Sequence, residues 1–147
     1  IPEISFDHFS PIEFEEFTYD LLKAYGFKKI QRERRINDRA VDFIAETYSK
    51  DVFGIPNKET WMVEAKFYRE ERFSINLLNQ IISLYNYIDR EDAGILLITN
   101  SVLTSVAEEY IKNAKRERNL EIKVVDGILL KKLVAKRKRL ITKYFTR

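Results

Sequence analysis

The sequence predicts one α/β domain: a central mixed sheet of about five strands flanked by helices. Three observations lead there. Ala93-Gly94-Ile95-Leu96-Leu97-Ile98-Thr99 is an unbroken apolar run, the mark of a strand covered on both faces. Val41–Ala45 and Thr60–Phe67 are two further apolar stretches of strand length. Helical periodicity then alternates with strands through the second half, and strand–helix–strand crossovers imply a parallel portion of the sheet.

The elements follow in order. Ser10, Pro11 and Glu13 form a helix start, with cap, first-turn proline and capping-box acid. Phe14, Phe17, Leu21, Leu22 and Tyr25 continue at helical spacing, and Gly26 ends the helix. Lys28–Ile36 alternates only weakly and gives a weak strand signal. The loop Asp51–Lys58 carries Gly54, Pro56 and Asn57, which is turn chemistry. Apolar positions 77, 78, 81, 82, 84, 85 and 88 predict a helix over Asn76–Arg90. A helix over Thr104–Arg118 capped by Thr104 and a strand over Ile122–Val125 come next. After Asp126-Gly127, the residues Leu130, Leu133, Val134, Arg137, Ile141 and Tyr144 predict one last helix over about 127–147.

Composition narrows the chemistry. The chain has 147 residues, enough for one domain with a real core, 26 Lys+Arg against 23 Asp+Glu, and a formal charge of +3. It has no Cys and one His, His8. Disulfide scaffolds, thiolate zinc sites and cysteine nucleophiles are excluded, and a Ser-His-Asp triad is disfavoured. No stretch approaches a membrane span, the opening residues do not read as a signal peptide, and an intracellular, cytoplasmic home fits the lack of Cys. Charge is unevenly spread. Residues 131–147 hold eight basic and no acidic groups, leaving 18 basic and 23 acidic groups in residues 1–130, a net of −5. Lys131, Lys132, Lys136, Arg137, Lys138 and Arg139 are therefore candidates for gripping a polyanion, or else a solvated helix face.

Charges in two strands call for an explanation. Asp42 stands among Val41, Phe43, Ile44 and Ala45; Glu64 and Lys66 alternate with Val63, Ala65 and Phe67. Burying a charge costs several kcal/mol unless it is paired or binds a metal. Two carboxylates from adjacent strands can hold a hard cation such as Mg²⁺, and Mn²⁺ suits the same ligands. Lys66, on the same face as Glu64, would then point at the attacking water and the scissile phosphate. The plainer alternative is an ordinary Glu64–Lys66 pair on an exposed face with Asp42 opening a turn.

Five segments in order strengthen the first reading: Phe14-Glu15 with Leu21-Leu22 and Gly26-Phe27; Asp38-Arg39-Ala40-Val41-Asp42; Val63-Glu64-Ala65-Lys66-Phe67-Tyr68; Leu97-Ile98-Thr99-Asn100 through Thr104 and Ala107; and Val125-Asp126-Gly127 with Leu130 and Leu133. Together they resemble the Mrr-like catalytic domain of type IV restriction endonucleases, a branch of the PD-(D/E)xK nuclease superfamily. The resemblance implies a three-layer restriction-endonuclease-like fold in a single nuclease domain over residues 1–147, with a core of about 10–134. It implies a Mg²⁺-dependent endonuclease acting on DNA. Asp42 and Glu64 would be metal ligands with the Ala65 carbonyl, Lys66 the catalytic lysine, and Glu15 an auxiliary acid. Arg39-Ala40 stands where the family usually has two glycines; either Arg39 clamps a phosphate there or the loop is simply built differently. The same resemblance leaves open a silent nucleic-acid-binding module, a nuclease of RNA or branched DNA, a homodimer, and a fused or partner recognition domain.

Overall fold

A computed structural model describes residues 3–36, 39–70, 74–85 and 93–146. The elements run α1 (Pro11–Ala24), β1 (Lys28–Ile36), β2 (Arg39–Lys50), β3 (Pro56–Lys66), α2 (Ile75–Tyr85), β4 (Ala93–Thr99), α3 (Ser105–Arg118), β5 (Ile122–Val125), α4 (Gly127–Ala135) and α5 (Lys138–Tyr144). One five-stranded sheet in the order β1-β2-β3-β4-β5 results. β1, β2 and β3 pair antiparallel, while β3, β4 and β5 pair parallel. The α2 and α3 crossovers make the parallel half, as the strand–helix alternation implies.

Each face of the sheet carries a core. On one, α1, α4 and α5 bury Phe14, Phe17, Leu21, Leu130, Val134 and Leu140 against Phe43, Trp61, Val63, Leu96 and Ile98. On the other, α2 and α3 bury Leu78, Ile81, Ile82, Ala107 and Ile111 against Met62, Ile95, Leu97 and Ile122. Helices on both faces make three layers, the architecture expected. All seven residues of β4 are buried, as its unbroken apolar run predicts. The first core is unusually aromatic. Phe6, Phe9, Phe14, Phe17 and Phe145 meet edge-to-face with ring centroids 5.3–5.9 Å apart in most pairs, so packing on this face reaches past the expected 10–134 at both ends.

Several local expectations hold. Ser10 caps α1 by accepting from the Glu13 amide, and Thr104 caps α3 by accepting from that of Ala107. Gly26 has a φ of +87°, the left-handed turn that stops α1. Others are corrected. Lys28–Ile36 is a full edge strand; its alternation is broken by a bulge and by left-handed Lys29 and Glu33. β2 and β3 each extend beyond their apolar stretches into a long polar hairpin. The single basic helix over 127–147 is two helices. The chain breaks at Lys136-Arg137, with Arg137 extended, and resumes in α5. The break lets both Val134 and Leu140 reach the core, six residues apart, which one straight helix would place on different sides. The α2 expectation extends over 86–90, which lie outside the described residues.

Gly127 opens α4 against the end of β4. A methyl group there would stand 2.3 Å from the Asn100 carbonyl oxygen and 2.9 Å from its carbon. Gly127→Ala should therefore lower stability by about 2–3 kcal/mol in urea unfolding. Gly26→Ala meets open space, and backbone strain alone should cost it roughly 1 kcal/mol. Equal losses for the two would refute the tight packing at Gly127.

Candidate functional site

The antiparallel pairing of β2 with β3 ends at Phe43 opposite Val63. One step further, where the two strands part, the register brings Asp42 level with Glu64. The Ala65 amide donates to Asp42 Oδ2 at 2.8 Å and fixes that carboxylate at the strand end. β3 simultaneously pairs with β4, so Glu64 is level with Leu97 and Lys66 with Thr99. The site thus forms at the carboxyl end of β3, where the antiparallel and parallel halves of the sheet meet.

Glu64 is the electrostatic anomaly. Its Oε1 is buried without a hydrogen-bond partner. Burial first, then the charge of Asp42 and a hydrogen bond shared with it, push its carboxyl up from 4.5 to about 9. Glu15, from α1, is likewise raised by burial, by the charge of Asp42 and by a hydrogen bond with it; Glu33 adds to the shift and Arg32 opposes it. Sequence-predicted Asp42, Glu64 and Glu15 are therefore neighbours, with Asp42 between the other two. Among the described residues, no three acidic or imidazole groups close into a ready metal cage. The donor set nonetheless suits a divalent cation: two carboxylates at one strand end, one with a buried oxygen that no described residue satisfies.

Lys66 is exposed, two residues beyond Glu64. Its ammonium lies 5.9 Å from the Tyr68 ring and makes no ion pair among the described residues. The chain beyond it is held by Asn100, whose side chain accepts from the Tyr68 amide at 2.8 Å and donates to the Tyr68 carbonyl at 2.6 Å. That clamp was not legible beforehand, because a lone Asn after a strand reads as a turn residue. Trp61 is core, its Nε1–H bonded to Thr47. Gln80 lies exposed on α2. Asp38 and the Arg39 side chain fall outside the described residues.

The basic C-terminal residues are elsewhere. Arg137 donates to the Ala24 carbonyl and lies 4.0 Å over the Tyr25 ring. Ala24 ends α1 nine residues after Glu15, roughly 13 Å along the axis. Lys143 pairs with Asp20 at 2.7 Å. Burial pushes Asp20 up, but the hydrogen bonds from Lys143 and Tyr144 outweigh it and hold that carboxyl below its ordinary range. Lys131, Lys132, Lys136, Lys138 and Arg139 are exposed. Arg137 is thus a packing residue at the far end of α1 from Glu15.

A mixed sheet between helical layers, antiparallel on one side of β3 and parallel on the other, is the architecture of the restriction-endonuclease-like fold. The family model described as a restriction endonuclease, Mrr_cat, matches residues 6–134. The chain belongs to that family of nucleases, the Mrr-type catalytic domains. Solved structures agree on the fold. A protein of unknown function, AF1548, is 16% identical with a TM-score of 0.59, over 83% of this chain and 64% of that one. A repair endonuclease from Pyrococcus abyssi is 20% identical with a TM-score of 0.52, over 85% of this chain and 50% of that one. The chain spans less than two-thirds of either protein. No curated protein is a significant match.

The raised Glu64 carboxyl has a consequence for stability. In the absence of a cation the folded protein keeps a proton that the unfolded chain releases near pH 4.5. Between that pH and about 9 the folded state binds more protons, so stability falls as pH rises through the interval. Asp20 works in the opposite direction, and its effect is complete above its ordinary 3.8. In EDTA, the urea midpoint should fall from pH 5 to pH 9, and Glu64→Gln should flatten that slope. A slope unchanged by Glu64→Gln would overturn the assignment.

Proposed function

We propose that this chain is a Mg²⁺-dependent endonuclease domain that hydrolyses phosphodiester bonds in DNA, with Mn²⁺ able to serve in place of Mg²⁺. The observation that carries the reading is the unsatisfied Glu64 oxygen beside Asp42, at a strand end that also presents Lys66. Asp42 and Glu64 would hold the ion, with the Ala65 carbonyl and Glu15 as further ligands. A bound divalent cation lowers the pKa of a coordinated water and neutralises charge building on the phosphate.

The remaining roles fall to the chain's own groups. Lys66 carries a charge free to swing into the space in front of the carboxylates. It orients the attacking water and places positive charge beside the phosphate as the bond to the leaving oxygen breaks. Asp42 is held in one orientation by the Ala65 amide, so it is ready as a ligand without reorganisation. Membership in a restriction-endonuclease family supports DNA as the polymer. Exposed lysines and arginines away from the carboxylates, including Lys131, Lys132, Lys138 and Arg139, would contribute sequence-independent attraction to the backbone. Choice of target would fall to a further or partner domain, since phosphate contacts carry no base information.

The test is cleavage of supercoiled plasmid, linear duplex, single-stranded DNA and RNA with Mg²⁺, Mn²⁺ or EDTA. Cutting of DNA should require the ion. Lys66→Ala should slow it by roughly 10²–10³-fold, with Mg²⁺ affinity in calorimetry unchanged. Asp42→Asn should lose both ion affinity and cutting. If the parent protein cuts equally in EDTA, or if Lys66→Ala matches it under every ion, the catalytic assignment fails.

A further inference from the structure

Strand β1 is an open edge of the sheet and runs beside the carboxylates. Its register with β2 sets Arg32 opposite Phe43 and Arg34 opposite Val41, so these two positions bracket the level of Asp42. Lys28 lies opposite Glu46, four residues along β2 from Asp42 and roughly 14 Å away. The nearness shows in the electrostatics of the site. Burial and Asp42 dominate the raised Glu15 carboxyl, and β1 supplies two further charges that act on it, Glu33 raising and Arg32 lowering it.

This edge is strongly basic. Residues 28–35 hold Lys28, Lys29, Arg32, Arg34 and Arg35 against one acid, Glu33, a net charge of +4 in eight residues. Little of it is neutralised within the fold. Lys28 is exposed and makes no ion pair among the described residues. Lys29 approaches Glu46 at 3.9 Å with its side chain 71% exposed. Arg32 is held more firmly, 3.1 Å from Glu16 and 3.9 Å over the Tyr19 ring. Exposed ion pairs of this kind are worth little, so a phosphate can compete for the cations that make them.

The backbone says which partner fits. An open edge ordinarily invites another β-strand. β1, however, takes a φ of +50° at Lys29 and +49° at Glu33, and its register shifts between Lys28 and Gln31. Such irregularities turn the edge's amides and carbonyls out of a regular row, so a second strand cannot ladder along it. A nucleic-acid backbone needs no such row. It needs positive charge along its length, with one phosphate per strand for about every 3.4 Å of duplex axis. The roughly 14 Å from Lys28 to the level of Asp42 spans about four of them.

We propose that β1 is the surface that receives the phosphate backbone of the DNA. Lys28, Lys29 and Arg32 hold phosphates on one side of the scissile bond, and the backbone positions of Arg34 and Arg35 continue the row to Asp42. The inference rests on the reading of that site as a DNA nuclease and adds to it the path of the substrate. Contacts of this kind carry no base information, so β1 fixes where the DNA lies and not which sequence is cut.

The test is binding of a labelled duplex of mixed sequence, read by fluorescence anisotropy across a salt series, in Ca²⁺ and in EDTA. Lys28→Gln with Lys29→Asn removes two charges, and Asn is among the residues that most readily take the left-handed backbone of position 29. That variant should bind roughly 30-fold more weakly at about 0.1 M salt, and its slope of log affinity against log salt should be shallower by about 2. Lys112→Gln with Lys115→Gln takes the same charge from exposed positions on α3, which packs on the sheet face away from α1. It should cost less than about 3-fold. Circular dichroism should be unchanged in both, because every replaced side chain is exposed. Equal losses for the two variants, a β1 variant that binds as the parent does, or a parent that does not bind DNA would each overturn the proposal. Plasmid cleavage reports separately on the nuclease reading: binding along β1 without any cutting sinks that reading and leaves β1 as a DNA-binding surface.

Discussion

Strand β3 is the constraint on which everything else hangs. It is the one strand in the sheet with an antiparallel neighbour on one side and a parallel neighbour on the other. Its middle, Trp61, Met62 and Val63, is buried against helices on both faces. A strand so enclosed cannot slip by one residue, because the slip would exchange every core side chain between faces. Glu64 and Lys66 are consequently delivered to a fixed place at its end, and Asp42 is delivered beside them by the register of β2. Core packing thus places the site's backbone, and the hydrogen bond from the Ala65 amide then orients Asp42 within it.

That division explains why the charged residues can be tolerated at all. Glu64 in isolation is unfavourable: its buried oxygen has no partner and its neighbours are acids. The compensating stability must come from elsewhere. The aromatic cluster that joins Phe6, Phe9, Phe14, Phe17 and Phe145 lies on the face covered by α1, α4 and α5, and each such ring contributes large apolar burial plus edge-to-face contact. The same cluster fixes α1, which brings Glu15 to Asp42. Core and site are therefore coupled through α1 as well as β3.

What could be read in the sequence follows from the same physics. β4 was legible because burial on both faces leaves only apolar residues, and α1 and α3 because their caps are chemically explicit. Asp42 and Glu64 were legible because charge inside an apolar strand needs a cause. β1 was not, since an edge strand open to water is under no pressure to alternate, and its bulge scrambles what pattern remains. Glu15 has no local signature; an acid in a first turn is favoured by the helix dipole whatever its neighbours. The break at Lys136-Arg137 was hidden because lysine and arginine suit a helix, a turn and a solvated surface equally well. Only the need to bury Leu140 with Phe145 decides it.

The basic residues at the chain's end divide into two groups. Lys131, Lys132, Lys136, Lys138 and Arg139 stand exposed, whereas Arg137 is spent on the Tyr25 ring and the Ala24 carbonyl, and Lys143 on Asp20. The Arg137 charge lies at the C-terminal end of α1, where the helix dipole favours cations. Meanwhile the edge strand β1 holds Lys28, Lys29, Arg32, Arg34 and Arg35 against a single acid, Glu33. Charges along an open strand edge keep it from pairing with another sheet.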